Sequence, residues 1–236
     1  SDQFPTGRYA SVVNREELEQ DARARADDLI GLFYERTRKL GLLEEQVHCE
    51  RTMGSPFNEI VHASVFSDII LMGEKCSFPP VNQDYETMHH LYHRASRPVL
   101  LTQSKYREIK RVVLAMDGTA SSSRMLYTYL HLNPFPQAEV VLVYSKKEEE
   151  RYQLSNFYER LLAHVKQFIR DVKVTTLDGD METEIAQTVE KIGGDLLAIG
   201  VHESHFLTRL RDVMNLRDPF ADKLLRNMNA NLFTVH

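Results

Sequence analysis

The sequence lacks any apolar run approaching the roughly 20 residues that a membrane-spanning helix needs. Its first residues, Ser1-Asp2-Gln3-Phe4-Pro5, have neither the basic stretch nor the apolar stretch of a signal peptide. It has no basic block. A formal net charge of -5 and a pI near 6.1 argue against a dedicated nucleic-acid binder. It has only two cysteines, Cys49 and Cys76, which cannot build a disulfide framework and read as ordinary thiols of a reducing compartment. A cytoplasmic protein with no membrane and no nucleic-acid partner is therefore expected. What is present suits a packed globular chain: 42% hydrophobic and 27% charged residues, too apolar for disorder. The length of 236 residues allows one large domain or two of ordinary size.

The C-terminal half reads clearly. Val112-Val113-Leu114-Ala115-Met116 is a continuous apolar run, as in a strand buried on both faces. It ends at Asp117-Gly118-Thr119, and a helix carrying Met125, Leu126, Tyr129 and Leu130 follows until Asn133-Pro134. Val140 to Tyr144 is a second buried strand. A long helix follows, with Leu154, Phe157, Leu161, Val165, Phe168 and Val172 in steps of three and four. Lys173 to Leu177 favours a strand, Met181 to Ile192 an amphipathic helix closed by Gly193-Gly194, and Asp195 to Gly200 another buried strand. Asp218-Pro219 resembles a cap with proline in the first turn of a helix through Phe220, Leu224 and Leu225, and Asn231 to Val235 is the last strand. Such alternation implies an α/β fold with a doubly wound parallel sheet of five strands and right-handed crossovers.

The N-terminal half repeats the later part of this order. A charged helix spans about Arg15 to Leu40, with Leu18, Ala22, Ala26, Leu29 and Phe33 on one face and Gly41 at its end. Val47 to Met53 is a possible strand, Pro56 to Ser64 a short helix, Asp68 to Gly73 a buried strand, Tyr85 to Arg94 a helix, and Pro98 to Thr102 a last strand. Asp68-Ile69-Ile70-Leu71-Met72-Gly73 matches Asp195-Leu196-Leu197-Ala198-Ile199-Gly200, and Asn58-Glu59-Ile60 matches Thr183-Glu184-Ile185. Two tandem copies are expected, at residues 1–104 and 109–236, meeting between Gln103 and Ile109. Nothing before Arg15 resembles Val112 to Tyr144, so the first copy lacks its β-α-β opening; Tyr9 to Val13 could supply one short strand.

The strand Asp195–Gly200 with its loop, helix and final strand, together with the opening Val-Val-Leu-Ala-Met-Asp117, resembles the universal stress protein family in its tandem-domain form. That resemblance implies an adenine nucleotide alpha hydrolase-like fold for nearly the whole chain. Nucleotide-binding members carry, after the fourth strand, Gly, two residues, Gly, nine residues, then Gly and Ser or Thr. Such glycines let backbone N–H groups close on phosphates at a helix N-terminus. Here Gly200-Val201-His202-Glu203-Ser204-His205-Phe206 keeps only the first glycine, Glu203 stands at the second, and no Gly-Ser or Gly-Thr pair follows before Asn231. Gly73-Glu74-Lys75-Cys76-Ser77-Phe78-Pro79-Pro80 also keeps only the first, and its prolines remove backbone donors. Asp117, Gly118, Thr119, Gly200 and His202 are the candidate cofactor-binding positions. Asp117 matches the family position that often meets the adenosine moiety, and Asp117 to Thr119 equally reads as a turn before a helix.

Other chemistry is thin. His89 and His93 lie four apart on a predicted helix with His90 and Tyr92, near Cys76 in sequence. No Glu completes an H-E-x-x-H pattern, so packed or exposed histidines are the simpler reading. His202, Glu203 and His205 form a loose loop cluster. Ser121 to Ser123 lacks the surroundings of a nucleophile and reads as a polar helix start. Lys146 to Arg151 is a solvated charge run.

These features favour a non-catalytic stress-associated protein without a cofactor, working through dimerisation, pairing of its own halves and protein contacts. A nucleotide-binding or ATP-hydrolysing regulator would need Arg209, Arg211 and Arg217 to replace the missing backbone donors. A regulatory tail of a transporter or kinase is the third reading, because fold alone does not fix function. The two halves are expected to pair through Val99–Thr102 and Leu232–Val235, since both are apolar edges. A first copy without its opening would leave the strand Asp68–Gly73 with one bare edge, from which an upstream extension of roughly 40–50 residues is expected; the alternative is that a second chain, or the Tyr9–Val13 segment, fills the gap.

Overall fold

In a computed structural model, the described residues are 15–73, 95–147, 156–201 and 230–235. The chain divides into two compact units, Ser1–Met53 and Gly54–His236. The first holds α1 (Arg15–Lys39) and a short 3-10 turn at Glu44–Gln46. Lys39 sits 2.6 Å from Glu35 one turn back, and Arg51 sits 2.6 Å from Asp27, exposed pairs of small energetic weight. Two expectations fail here. Residues 47–53 form no strand, because a lone segment has no ladder to satisfy its backbone groups. Leu29 and Phe33, on the face read as apolar, are exposed.

The second unit is built on one seven-stranded sheet. Its strands are β1 (Ile70–Gly73), β2 (Val99–Thr102), β3 (Arg111–Met116), β4 (Glu139–Ser145), β5 (Val172–Leu177), β6 (Leu196–Gly200) and β7 (Asn231–Val235). Their order is β1-β2-β7-β6-β3-β4-β5. Every neighbouring pair is parallel except β2 and β7. Those two run antiparallel with Val99 opposite Thr234, Leu100 opposite Phe233 and Leu101 opposite Leu232. The five strands from β7 to β5 form the parallel sheet that the alternation predicts. The helix read as running to Val172 ends sooner: α4 is Phe157–Val165, and Val172 opens β5 opposite Val140. Its three-and-four spacing continued into a strand that opens with a half-buried Val172 followed by exposed Lys173 and Val174.

Helices lie on both faces. One core layer joins Val113, Val141, Leu197, Leu101 and Leu232 to Met181, Ile185 and Val189 of α5 (Met181–Ile192), with Phe57, Ile60 and Val61 of α2 (Pro56–Ser64) packed against it. The other joins Leu114, Leu142, Ala198, Leu100 and Phe233 to Met125, Leu126 and Tyr129 of α3 (Ala120–Leu132) and to Tyr158 and Val165 of α4. The Tyr129 ring meets Phe233 edge-on at 5.8 Å. Its hydroxyl is buried with no partner among the described residues, and burial raises its pKa.

The amino ends of the strands are pinned by charge. Asp195 is buried, and its carboxylate accepts from the N–H groups of Lys110 and Arg111 at 3.0 Å each and faces Arg107 at 3.0 Å. Asn231 donates to the Asp195 carbonyl at 3.1 Å and accepts from the Gln103 N–H at 3.1 Å. The connector 103–110 is thereby tied to β6 and β7. Beside it, Glu139 accepts from Lys173 at 2.6 Å and Arg111 at 2.7 Å, while Arg111 also donates to the Ile192 carbonyl at the C-terminal end of α5. The Lys173 and Arg111 bonds hold the Glu139 carboxyl below its usual pKa.

Three outcomes follow from this packing. Leu101→Ala should cost about 2–5 kcal/mol in urea unfolding, because Leu101 is fully buried in the seam. Tyr129→Phe should be neutral or stabilising, since it removes an unpaired buried hydroxyl; a loss above about 1 kcal/mol would reveal a partner. A lowered Glu139 pKa adds stability that is present above the unfolded-state value and is lost as pH falls through the folded one. Glu139→Gln should therefore flatten the decline of stability on acidification below about pH 5. An unchanged pH profile would show the bridge to be energetically idle.

Candidate functional site

In an open parallel sheet the natural ligand position is the crevice at the carboxyl ends, where the connections diverge to opposite sides. Here it lies between β3 and β6. From β3 the chain passes through α3 to β4 on one side, while β6 and β7 lie on the other. Asp117, Gly118 and Thr119 leave β3 on one wall of this crevice, and Gly200 ends β6 on the other.

The turn is built from its own side chains. Thr119 donates to Asp117 Oδ1 twice, from its N–H at 2.9 Å and from its hydroxyl at 2.7 Å. Gly118 takes φ +79°, a conformation that L side chains rarely adopt. Thr119 then caps α3, its Oγ1 accepting from the Ser122 N–H at 3.2 Å. Asp117 thus has one carboxylate oxygen committed to the turn. All three residues are half-buried.

Gly200 has a different task. A Cβ on Gly200 would lie 2.1 Å from the Ser121 carbonyl carbon and 2.4 Å from the Ser122 nitrogen. The first turn of α3 sits directly on the end of β6, and only glycine admits it. Ser121 and Ser122 are buried there. The Ser121 hydroxyl accepts from Arg124 at 3.1 Å, and the Ser122 hydroxyl donates to the Thr119 carbonyl at 3.0 Å. The sequence signals a polar helix start at these serines. Their role as small residues in a helix-on-strand contact was not legible, because it depends on Gly200, which lies 79 positions away from Ser121.

The structure thus brings Asp117, Gly118, Thr119 and Gly200 to one crevice; His202 lies outside the described residues, as do Cys76, His89, His93, Glu203, His205 and the loop arginines. Next to the crevice, Tyr144 stacks on Tyr158 at 3.9 Å, and the Tyr158 hydroxyl points to the Met116 carbonyl at 3.5 Å. This aromatic pair was missed in the sequence because its members sit on different elements. Among the described residues, no group of three or more His, Cys, Asp or Glu is placed to hold a metal ion. No helix among them is long and apolar enough to cross a membrane. A cavity of about 710 Å³, lined by Phe135, Glu139, Phe168, Arg170 and Lys173 among others, opens at the opposite, amino ends of β4 and β5.

Gly200→Ala should destabilise the fold by more than the about 1–3 kcal/mol typical of overpacking, since its Cβ meets backbone that cannot rotate away. An unfolding midpoint equal to that of the parent chain would disprove the contact.

No family model and no curated protein matches this sequence. Solved structures do match. A universal stress protein from Archaeoglobus fulgidus is 16% identical with a TM-score of 0.67, covering 94% of this chain and 80% of that one. A functionally unknown protein from Pseudomonas aeruginosa PAO1 is 11% identical with a TM-score of 0.53, covering 89% and 77%. A putative universal stress protein from Pseudomonas aeruginosa UCBPP-PA14 is 12% identical with a TM-score of 0.52, covering 87% and 77%. With a mostly parallel seven-stranded sheet alternating with helices, this chain has the fold of the universal stress proteins.

Proposed function

We propose that this chain is a non-catalytic, cytoplasmic, tandem universal stress protein of the type that does not hold ATP tightly, acting in stress response through dimerisation and protein contacts. The observation that carries this reading is Gly200. Its open side is filled by the first turn of α3, with Ser121 and Ser122 backbone atoms within 2.4 Å of where a Cβ would stand. The one glycine retained from the phosphate loop therefore has a packing duty that accounts for it without a nucleotide. Asp117 likewise has a turn duty through Thr119. The later glycines of the loop are absent from the sequence, and a glutamate, Glu203, stands at the sequence position of the second. Each lost donor costs on the order of 1–3 kcal/mol.

The tandem reading is supported by likeness between two parts of the sheet. β1–β2 and β6–β7 are each a parallel pair, each preceded by a helix, α2 or α5, that packs into the same core layer. The two pairs meet antiparallel at β2 and β7. Titration calorimetry with ATP should show no binding at micromolar concentrations. A low-micromolar dissociation constant would overturn the proposal in favour of a nucleotide-dependent regulator.

A further inference from the structure

The cavity at the amino ends of β4 and β5 lies at the other end of the strands from the crevice. All the residues that line it belong to two short stretches, 133–140 and 168–173. Its volume of about 710 Å³ falls within the range of small-molecule sites. Phe135 and Phe168 give it apolar walls. Phe168 is 44% exposed, yet its ring is held by the His164 ring at 5.3 Å and the His131 ring at 5.6 Å. A ring fixed by its neighbours while much of its surface stays open is a preformed apolar contact, with little side-chain freedom left to lose on binding.

The charges in the lining divide into a spent pair and an unspent one. Glu139 and Lys173 meet at 2.6 Å, and the other Glu139 oxygen accepts from Arg111 at 2.7 Å. Arg170 and Asp171 are left, and neither side chain has a hydrogen bond or ion pair among the described residues. Both sit in a bend, so strand alternation does not send them to opposite faces. The unspent charges sum to zero. A simple anion would leave Asp171 opposed to it, and a simple cation would leave Arg170 opposed to it; a molecule carrying both charges close together matches both. The end of α3 adds to this. Asn133, its cap at φ +40°, lines the cavity, and the negative end of a helix favours an ammonium group.

We propose that this cavity binds a free α-amino acid with an aromatic or large apolar side chain. Arg170 takes the carboxylate, Asp171 with the end of α3 takes the ammonium group, and the side chain lies against Phe135 and Phe168. The site is independent of the crevice and of the nucleotide reading above.

The test uses the whole chain and three probes: L-phenylalanine, phenethylamine, which lacks the carboxylate, and 3-phenylpropionate, which lacks the ammonium group. Binding is followed by NMR titration of the backbone amides. L-Phenylalanine should give saturable shifts at millimolar concentration or below, centred on Ala138 and Ile169. Each analogue should bind weaker on the order of tenfold, for the loss of one charge-assisted hydrogen-bonded contact. Arg170→Gln should weaken L-phenylalanine to a similar extent and leave phenethylamine unchanged. Asp171→Asn should weaken L-phenylalanine and leave 3-phenylpropionate unchanged. Both residues are exposed, so both variants should keep the parent's urea midpoint. Absence of saturable shifts, an analogue that binds as tightly as the amino acid, or unchanged affinity in Arg170→Gln would overturn the proposal. So would shifts centred on Gly118 and Gly200, which would assign the binding to the crevice.

Discussion

The antiparallel contact between β2 and β7 is the constraint on which the sheet depends. On each side of it the strands are purely parallel, and parallel strands are stable only when both faces are covered. The two-stranded part, β1 with β2, is too small to bury its own faces. Leu100 opposite Phe233 and Leu101 opposite Leu232 merge it with the five-stranded part. Both core layers cross this seam: Leu101, Val99 and Leu232 share one, and Leu100 and Phe233 share the other. Burial of each such side chain is worth about 1.5–3 kcal/mol, so the seam binds the sheet through both of its faces as well as through backbone hydrogen bonds.

The two ends of the strands divide the work. At the amino ends, carboxylates and guanidinium groups fasten elements together. Asp195 ties down the connector before β3, and Glu139 links Lys173 of β5 to Arg111 of β3, which reaches the last turn of α5. A buried carboxylate such as Asp195 is tolerable because backbone N–H donors and Arg107 satisfy it. At the carboxyl ends the residues are small or turn-forming instead: Gly118, Thr119, Ser121, Gly200. Small residues let α3 approach β6 closely, at the end of the sheet where folds of this kind place ligands.

Much of the fold was legible in the sequence. Val112–Met116, Val140–Tyr144 and Asp195–Gly200 are continuous apolar runs, and such runs mean strands buried on both faces. Gly193, at φ +68°, closes α5 where the paired glycines predicted a stop. Boundaries failed where periodicity is ambiguous. Phe168 and Val172 continue the helical spacing of α4, yet Val172 pairs with Val140, because a strand position was open beside β4. Residues 47–53 have strand-like composition, but the described residues of their unit, 15–53, hold no strand for them to pair with.

The candidate site was legible only in part. Asp117, Gly118 and Thr119 announced a turn and helix cap because the chemistry of an Asp–Thr turn is local, carried by residues two apart. The duty of Gly200 was not, since the atoms that require it belong to Ser121 and Ser122 on another element. The same holds for Gly73 and Gly200 as a pair: the sequence presents them as equals, and only their neighbours distinguish them. What the sequence by itself determined was the order of strands and helices, because periodicity and turn residues act over a few positions. Which strands are neighbours, which glycine is pressed and which carboxylate is buried were decided by tertiary packing, because those properties belong to pairs of segments rather than to either one.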